Sequence, residues 1–167
     1  MTPMRPSKYA LWLALATTVV ILDYWTKHLA SQNLVLYRPM PLTSWFNLTL
    51  AHNEGAAFSL LADAGGWQRW FFTMVAVAIS AVLLVWLWRL PNRSRLLPAA
   101  LMLVLGGAIG NLIDRLRFGY VIDFIDIHFQ GWHWPAFNIA DSAIVLGVIL
   151  LLIDGFLPRH STHPSES

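Results

Sequence analysis

The chain has no cysteine. That excludes a disulfide framework, a zinc–thiolate centre and a cysteine nucleophile. It is also short of charge: only 12% of its 167 residues are charged, against 57% hydrophobic, with a mean hydropathy of +0.56. Soluble domains carry about a quarter charged residues, and a chain this small has too little interior to hide so much apolar surface. Lipid is the solvent that fits. The net charge of +2 and pI near 9.3 would suggest nucleic acid only with a basic stripe interleaved with stacking aromatics. No such stripe exists, so no nucleic-acid partner is expected. His128 and His133 lie close together without a third ligand at metal spacing, and neither a metal nor another cofactor is expected. Ser142 follows an aspartate rather than a histidine or lysine base, which argues against a serine nucleophile.

What is present is four apolar segments. Trp70 to Trp88 and Leu96 to Ile113 are uncharged, and a membrane core takes about 20 helical residues to cross. Tyr9 to Leu22 and Ser142 to Ile153 are shorter and end in acids. Each must be extended to cross, the first through Asp23 and Lys27 and the last from Phe137 onward. The expected spans are therefore 9–30, 68–88, 96–114 and 137–157 of one membrane-embedded domain over 1–167, an all-α bundle. The outer loops are 31–67 and 115–136. Arg5 and Lys8 before an apolar run also resemble a cleaved signal peptide. The only small-residue site nearby, Ala14-Leu15-Ala16, would leave too short an apolar core, so an uncleaved first span is expected.

Basic residues set the orientation. Arg5, Lys8, Arg89, Arg93, Arg95 and Arg159 all fall on one side, expected to be cytoplasmic together with both termini. Asp23, Glu54, Asp63, Asp114, Asp123, Asp126 and Asp141 fall at or beyond the opposite face. Trp67, Trp70, Trp132 and Trp134 would form an outer aromatic belt, and Trp86 and Trp88 an inner one. In the outer connections, Trp45 to Leu50 and Val121 to Asp126 alternate with a period of two. That periodicity predicts a small β-rich element at the membrane surface, assigned to residues 31–66.

Asp123 and Asp141 carry the strongest hint of chemistry. A span beginning at 137 places Asp141 about one turn inside the apolar region, where a carboxylate costs several kcal/mol unless paired, hydrated or protonated. Antiparallel helices with a short connection bring the two acids together. Close carboxylates in a low dielectric share a proton. One can then take a proton from water while the other gives one to a carbonyl oxygen, as in aspartic proteases. Spacing alone also fits an ion or proton relay, or acids that serve only assembly.

The residues around the pair narrow the choice. Asp23 and Lys27, then Asn53-Glu54-Gly55-Ala56-Ala57-Phe58, then Gly106-Gly107-Ala108-Ile109-Gly110-Asn111-Leu112-Ile113-Asp114-Arg115 occur in order. Val121-Ile122-Asp123-Phe124 and Phe137-Asn138-Ile139-Ala140-Asp141 follow. In these five motifs, and over nearly its whole length, the chain resembles the type II (prolipoprotein) signal peptidases. The resemblance implies a metal-independent aspartic endopeptidase of the bacterial cytoplasmic membrane, sensitive to globomycin. It would cut precursors on the N-terminal side of a cysteine bearing a diacylglyceryl group. Asp123 and Asp141 would be catalytic. Asp23, Lys27, Asn53, Gly55, Asn111, Asp114, Arg115 and Asn138 would support the site or contact substrate. Lipids and precursors are the expected partners, and a monomer the expected assembly.

Each supporting motif also has a plainer explanation. Gly106-x-x-x-Gly110 suits close helix packing. Asn111, Asp114 and Arg115 can simply be a polar helix end at the headgroups. Asn138 can be an N-cap or a partner of Asp141. Asp23 and Lys27 form an i, i+4 pair that packing alone would use, and Asn53-Glu54-Gly55 has the composition of a turn.

Overall fold

The computed structural model describes residues 6–55, 67–91 and 95–157. Arg5, Asp63, Arg93, Arg159 and the Ala56-Ala57-Phe58 part of the second motif lie outside the described residues. Four long helices, α1 (Pro6–Asn33), α2 (Trp67–Arg89), α3 (Leu96–Phe118) and α4 (Ile139–Phe156), are each long and apolar enough to cross a membrane. Between them lie β1 (Met40–Pro41), β2 (Phe46–Asn53), β3 (Val121–Phe129) and β4 (Trp132–His133).

The third helix is the axis of the bundle. In its most apolar stretch 67% of the residues are buried, against 17% in each of the other three. It packs on α1, α2 and α4. Small residues make this possible. A Cβ on Gly106 would lie 2.7 Å from Val19 Cβ and 2.8 Å from the Ala16 carbonyl of α1, and one on Gly107 would collide with the Ala140 carbonyl of α4. The apolar core joins Ala16, Leu83, Leu87, Leu90, Leu101, Met102 and Leu105. The outward faces of α2 and α4 expose Met74, Val77, Val82, Val145 and Leu152, a surface suited to lipid tails. Trp67 and Trp70 at one end of α2 and Trp86 and Trp88 near the other are all exposed. That spacing fits two interfacial belts.

The expected β-rich element exists, but its boundaries differ. It is a four-stranded antiparallel sheet in the order β1-β2-β3-β4, and β3 and β4 come from the second outer connection rather than from 31–66. Helix limits shift too. The first helix runs to Asn33, and α3 passes its expected end at 114 to reach Phe118. The last begins at Ile139 instead of 137, because Phe137 is drawn into the sheet by a bridge to Ile125. Asp141 therefore sits in the first turn of α4 rather than one turn inside it.

Candidate active site

Three backbone devices bring Asp123 to the end of the bundle. The α3 helix stops at Gly119 (φ 90°), whose N–H bonds the Arg115 carbonyl, and the chain turns straight into β3. Asp114, one turn inside α3, accepts the Ile122 N–H at 3.1 Å and holds the start of that strand. In the antiparallel register Ala51 faces Asp123 and Asn53 faces Val121. Side-chain alternation along a strand sends Asp123 and Asp126 to opposite faces, so only the former turns toward the bundle.

The bridge between Ile125 and Phe137 then sets Asn138 beside Asp123. Asn138 is the N-cap of α4 and forms a capping box with Asp141. Its Oδ1 accepts the Asp141 N–H at 2.9 Å, and its own N–H donates to Asp141 Oδ2 at 3.3 Å. Its Nδ2 donates to Asp123 Oδ1 at 2.7 Å. The two explanations of Asn138, cap and polar partner, thus hold together. On its other oxygen Asp123 accepts from Asn53 Nδ2 at 3.0 Å, while Asn53 Oδ1 accepts the Gly55 N–H at 3.1 Å.

Behind the pair runs a buried polar cluster. Lys27, only 2% exposed, donates to Asp23 Oδ2 at 2.7 Å, Asp114 Oδ2 at 2.8 Å and Asn111 Oδ1 at 2.9 Å. The second oxygen of Asp23 accepts the Ala140 N–H at 2.8 Å, satisfying an otherwise orphaned donor in the first turn of α4. Asn111 Nδ2 donates to Asp141 Oδ1 at 2.7 Å. Arg115 lies over the Phe72 ring, 5.1 Å from its centroid, and reaches the Gly55 carbonyl at 3.5 Å.

Burial dominates the electrostatics. Asp123 is 2% exposed, and desolvation followed by the nearby Asp141 charge pushes its carboxyl up to about 7; the bonds from Asn53 and Asn138 and the Lys27 charge oppose that rise. A carboxyl titrating there can hold a proton near neutrality and release it.

A cavity of about 630 Å³ opens beside the pair. Asn53, Gly55, Asn111, Arg115 and Asp141 supply its polar wall, and Trp134, Pro135 and Phe137 cover one side. From Asp141 the lining continues along α4 through Ser142, Val145, Leu146 and Ile149. That stripe descends roughly 12 Å toward the membrane interior at 1.5 Å per residue. Asp123 stands just behind the wall, one hydrogen bond from the lining Asn53.

All the site residues expected from sequence converge here. Asp126, His128 and His133 do not. They form a separate cluster on the sheet, where His133 Nδ1 meets Asp126 Oδ1 at 2.8 Å, Asn47 Nδ2 donates to Asp126 Oδ2 at 2.7 Å, and His128 bonds Asn47. The sequence reading missed the role of Asn47. The buried position of Asp126 requires a donor, and Asn47 directly opposite it in β2 supplies one. Among the described residues no group of three or more His, Asp or Glu side chains is placed to hold a metal ion.

Four helices able to cross a membrane, with a buried polar cluster and a cavity at one end, define a multi-pass membrane protein with a built acid-pair site. The sequence model of signal peptidase (SPase) II matches residues 15–157, and the chain belongs to that family. It is 56% identical over 146 residues to a lipoprotein signal peptidase of Acinetobacter baumannii, covering 87% of this chain and 83% of that one. With a lipoprotein signal peptidase of Teredinibacter turnerae it shares 54% identity over 143 residues, 86% and 85% of the two chains. A solved bacterial membrane enzyme determined in meso at 2.3 Å superimposes with a TM-score of 0.82 at 30% identity, covering 99% of this chain and 97% of its own.

Proposed function

We propose that Asp123 and Asp141 are the catalytic pair with which this peptidase removes signal peptides from prolipoproteins, cutting on the N-terminal side of a cysteine that carries a diacylglyceryl group. The observation that carries the reading is Asn138, which bonds one carboxylate through its side chain and the other through its backbone. One residue thereby fixes both acids at the end of the same apolar groove.

In the reaction, a water approaches the scissile carbonyl carbon. The ionised carboxylate takes one of its protons while the protonated partner gives its own to the carbonyl oxygen, producing a tetrahedral diol. Collapse of the diol breaks the C–N bond: the leaving amine takes a proton from the pair, and a diol hydroxyl returns one to it as the carbonyl re-forms. The Asp123 carboxyl, pushed up to about 7 by burial and the Asp141 charge, lets the pair hold a shared proton near neutrality. Asn53, Gly55 and Arg115 line the cavity where substrate backbone would lie, and the apolar stripe of α4 suits a lipid-anchored substrate arriving sideways from the outer leaflet. In this reading the termini are cytoplasmic, the site faces outward, the protein acts as a monomer without metal, and globomycin inhibits it.

Purified protein in lipid, given a diacylglyceryl-modified precursor, should release a shortened lipoprotein, and globomycin should block it. Asp123→Asn and Asp141→Asn should each abolish release while the protein remains folded in the membrane. Full processing by either variant removes that residue from the mechanism. Asn111, Arg115 and Asn138 substitutions should give partial losses.

A further inference from the structure

The buried Lys27 cluster does more than neutralise charge. An ammonium has three donors and no acceptor, and all three donors are used, on Asp23, Asp114 and Asn111. The oxygen of the Asn111 amide, never its nitrogen, must therefore face Lys27. Asn138 Nδ2, at 3.2 Å from the same oxygen, enforces the same choice. With its carbonyl held from behind, Asn111 has only its NH₂ group to offer Asp141, at 2.7 Å. A flipped amide would aim a carbonyl oxygen at a carboxylate and set two NH₂ groups against each other.

From this geometry we infer that Lys27 is a positioning residue for catalysis: it fixes the orientation of the Asn111 amide, so that Asp141 always receives a donor and is held in place beside Asp123. The path runs Lys27 on α1, Asn111 on α3, Asp141 on α4, and it crosses three helices in two hydrogen bonds. Asp23 and Asp114 serve it by fixing the ammonium. Asp23 also clamps the Ala140 N–H one residue from Asp141, so the ammonium and the catalytic turn share an anchor. This inference rests on the peptidase reading of Asp123 and Asp141.

A double-mutant cycle tests it. Lys27→Met combined with Asp23→Asn conserves the formal charge of the cluster, and the new asparagine can still accept the Ala140 N–H. In precursor cleavage this variant should lose at least roughly tenfold in kcat with KM nearly unchanged, the scale of one lost hydrogen bond to a charged group. Asn111→Ala should lose a similar factor. The triple variant should be little slower than Asn111→Ala alone, because Lys27 acts chiefly through Asn111. Losses that multiply, or an unchanged kcat in the Lys27→Met pair, overturn the inference. Lys27→Arg supplies the arm that keeps the charge of the cluster. A guanidinium also only donates, so it should retain far more kcat than Lys27→Gln, whose carbonyl would let the amide turn. Equal losses in those two also overturn it. Asp123→Asn and Asp141→Asn assayed alongside separate the two failures: if they still cleave, the peptidase pair itself is wrong, and if they are inactive while the cycle is additive, only the role of Lys27 is.

Discussion

Asn138 and Asp123 meet at 2.7 Å across the junction of sheet and bundle, the side-chain NH₂ of a helix N-cap donating to a carboxyl on a strand. Asn138 is fully buried and its amide is saturated: Nδ2 also approaches the Ile122 carbonyl and Asn111 Oδ1, both at 3.2 Å. Capping and site assembly are thus two jobs of one side chain, and substitution can part them. Serine caps as well as asparagine does, but it is too short to reach Asp123. Asn138→Ser should therefore keep the helix cap, while Asn138→Ala should lose about 1 kcal/mol more of stability. Both should lose roughly tenfold or more in kcat, as expected for a missing hydrogen bond to a carboxylate. Thermal unfolding together with precursor cleavage reads the two effects separately. A serine variant with full activity would show that the contact with Asp123 is dispensable.

The raised carboxyl of Asp123 makes a second prediction that needs no substrate. Its folded value is about 7, against an ordinary 3.8, chiefly because it is buried. Below about pH 4 the folded and unfolded chains both hold this proton, and the group is neutral in its effect. As pH rises, the unfolded chain releases the proton first, so stability falls until the folded value is passed, and levels above it. The difference is on the order of 4 kcal/mol between about pH 4 and 7. Asp123→Asn should flatten that part of the profile, measured by thermal unfolding in micelles. Identical profiles for the two proteins would contradict the burial argument. The same sign applies to turnover: if the proton on Asp123 is used, kcat should fall as pH rises past about 7.

Much of this arrangement can be read from the sequence, and the parts that cannot have a common cause. Hydropathy locates the four spans because lipid imposes a minimum length on any helix that crosses it. Asp123 and Asp141 stand out because an acid in that environment needs a reason. Period-two alternation finds β2 and the start of β3. What alternation misses is pairing. Nothing local says that Phe137 will bond Ile125, and that one bridge moves the start of α4, makes Asn138 the cap and brings it to Asp123. The extension of α3 past Asp114 is equally non-local, since Lys27 from another helix supplies the charge that lets Asp114 be buried. Asp126 looks like a companion of Asp123 in sequence, yet it lies on the other face of the strand with Asn47 and His133.

Helix approach is set by small residues, and two glycines mark the contrast. A Cβ on Gly107 would collide with the Ala140 carbonyl and come within 2.7 Å of Ile144 Cγ1, whereas one on Gly155 meets none of the described residues within 4 Å. Gly107→Ala must push α4 away from α3, and with it Asp141 from Asn111. It should destabilise by about 1–3 kcal/mol, the usual cost of overpacking, and lower kcat. Gly155→Ala should be neutral or slightly stabilising, since alanine is favoured over glycine in a helix. Comparable unfolding temperatures for the two variants would mean that α3 and α4 are not held at this distance.

The absence of cysteine gives a direct way to test orientation, because any thiol introduced is the only one. Gln130 sits at the exposed tip between β3 and β4, with φ 49°, and Pro91 is exposed just after α2. These positions lie at opposite ends of the bundle, and the basic residues Arg89 and Arg95 flank Pro91. An excess of positive charge holds a short loop on the cytoplasmic side. In intact cells, or in spheroplasts where an outer membrane is present, Gln130→Cys should react with a membrane-impermeant maleimide and Pro91→Cys should not. After permeabilisation both should react. Activity retained in both single-cysteine proteins would confirm that labelling reports the working fold. Protection of Gln130→Cys with labelling of Pro91→Cys would invert the topology and place the carboxylate pair on the cytoplasmic face, away from any exported precursor.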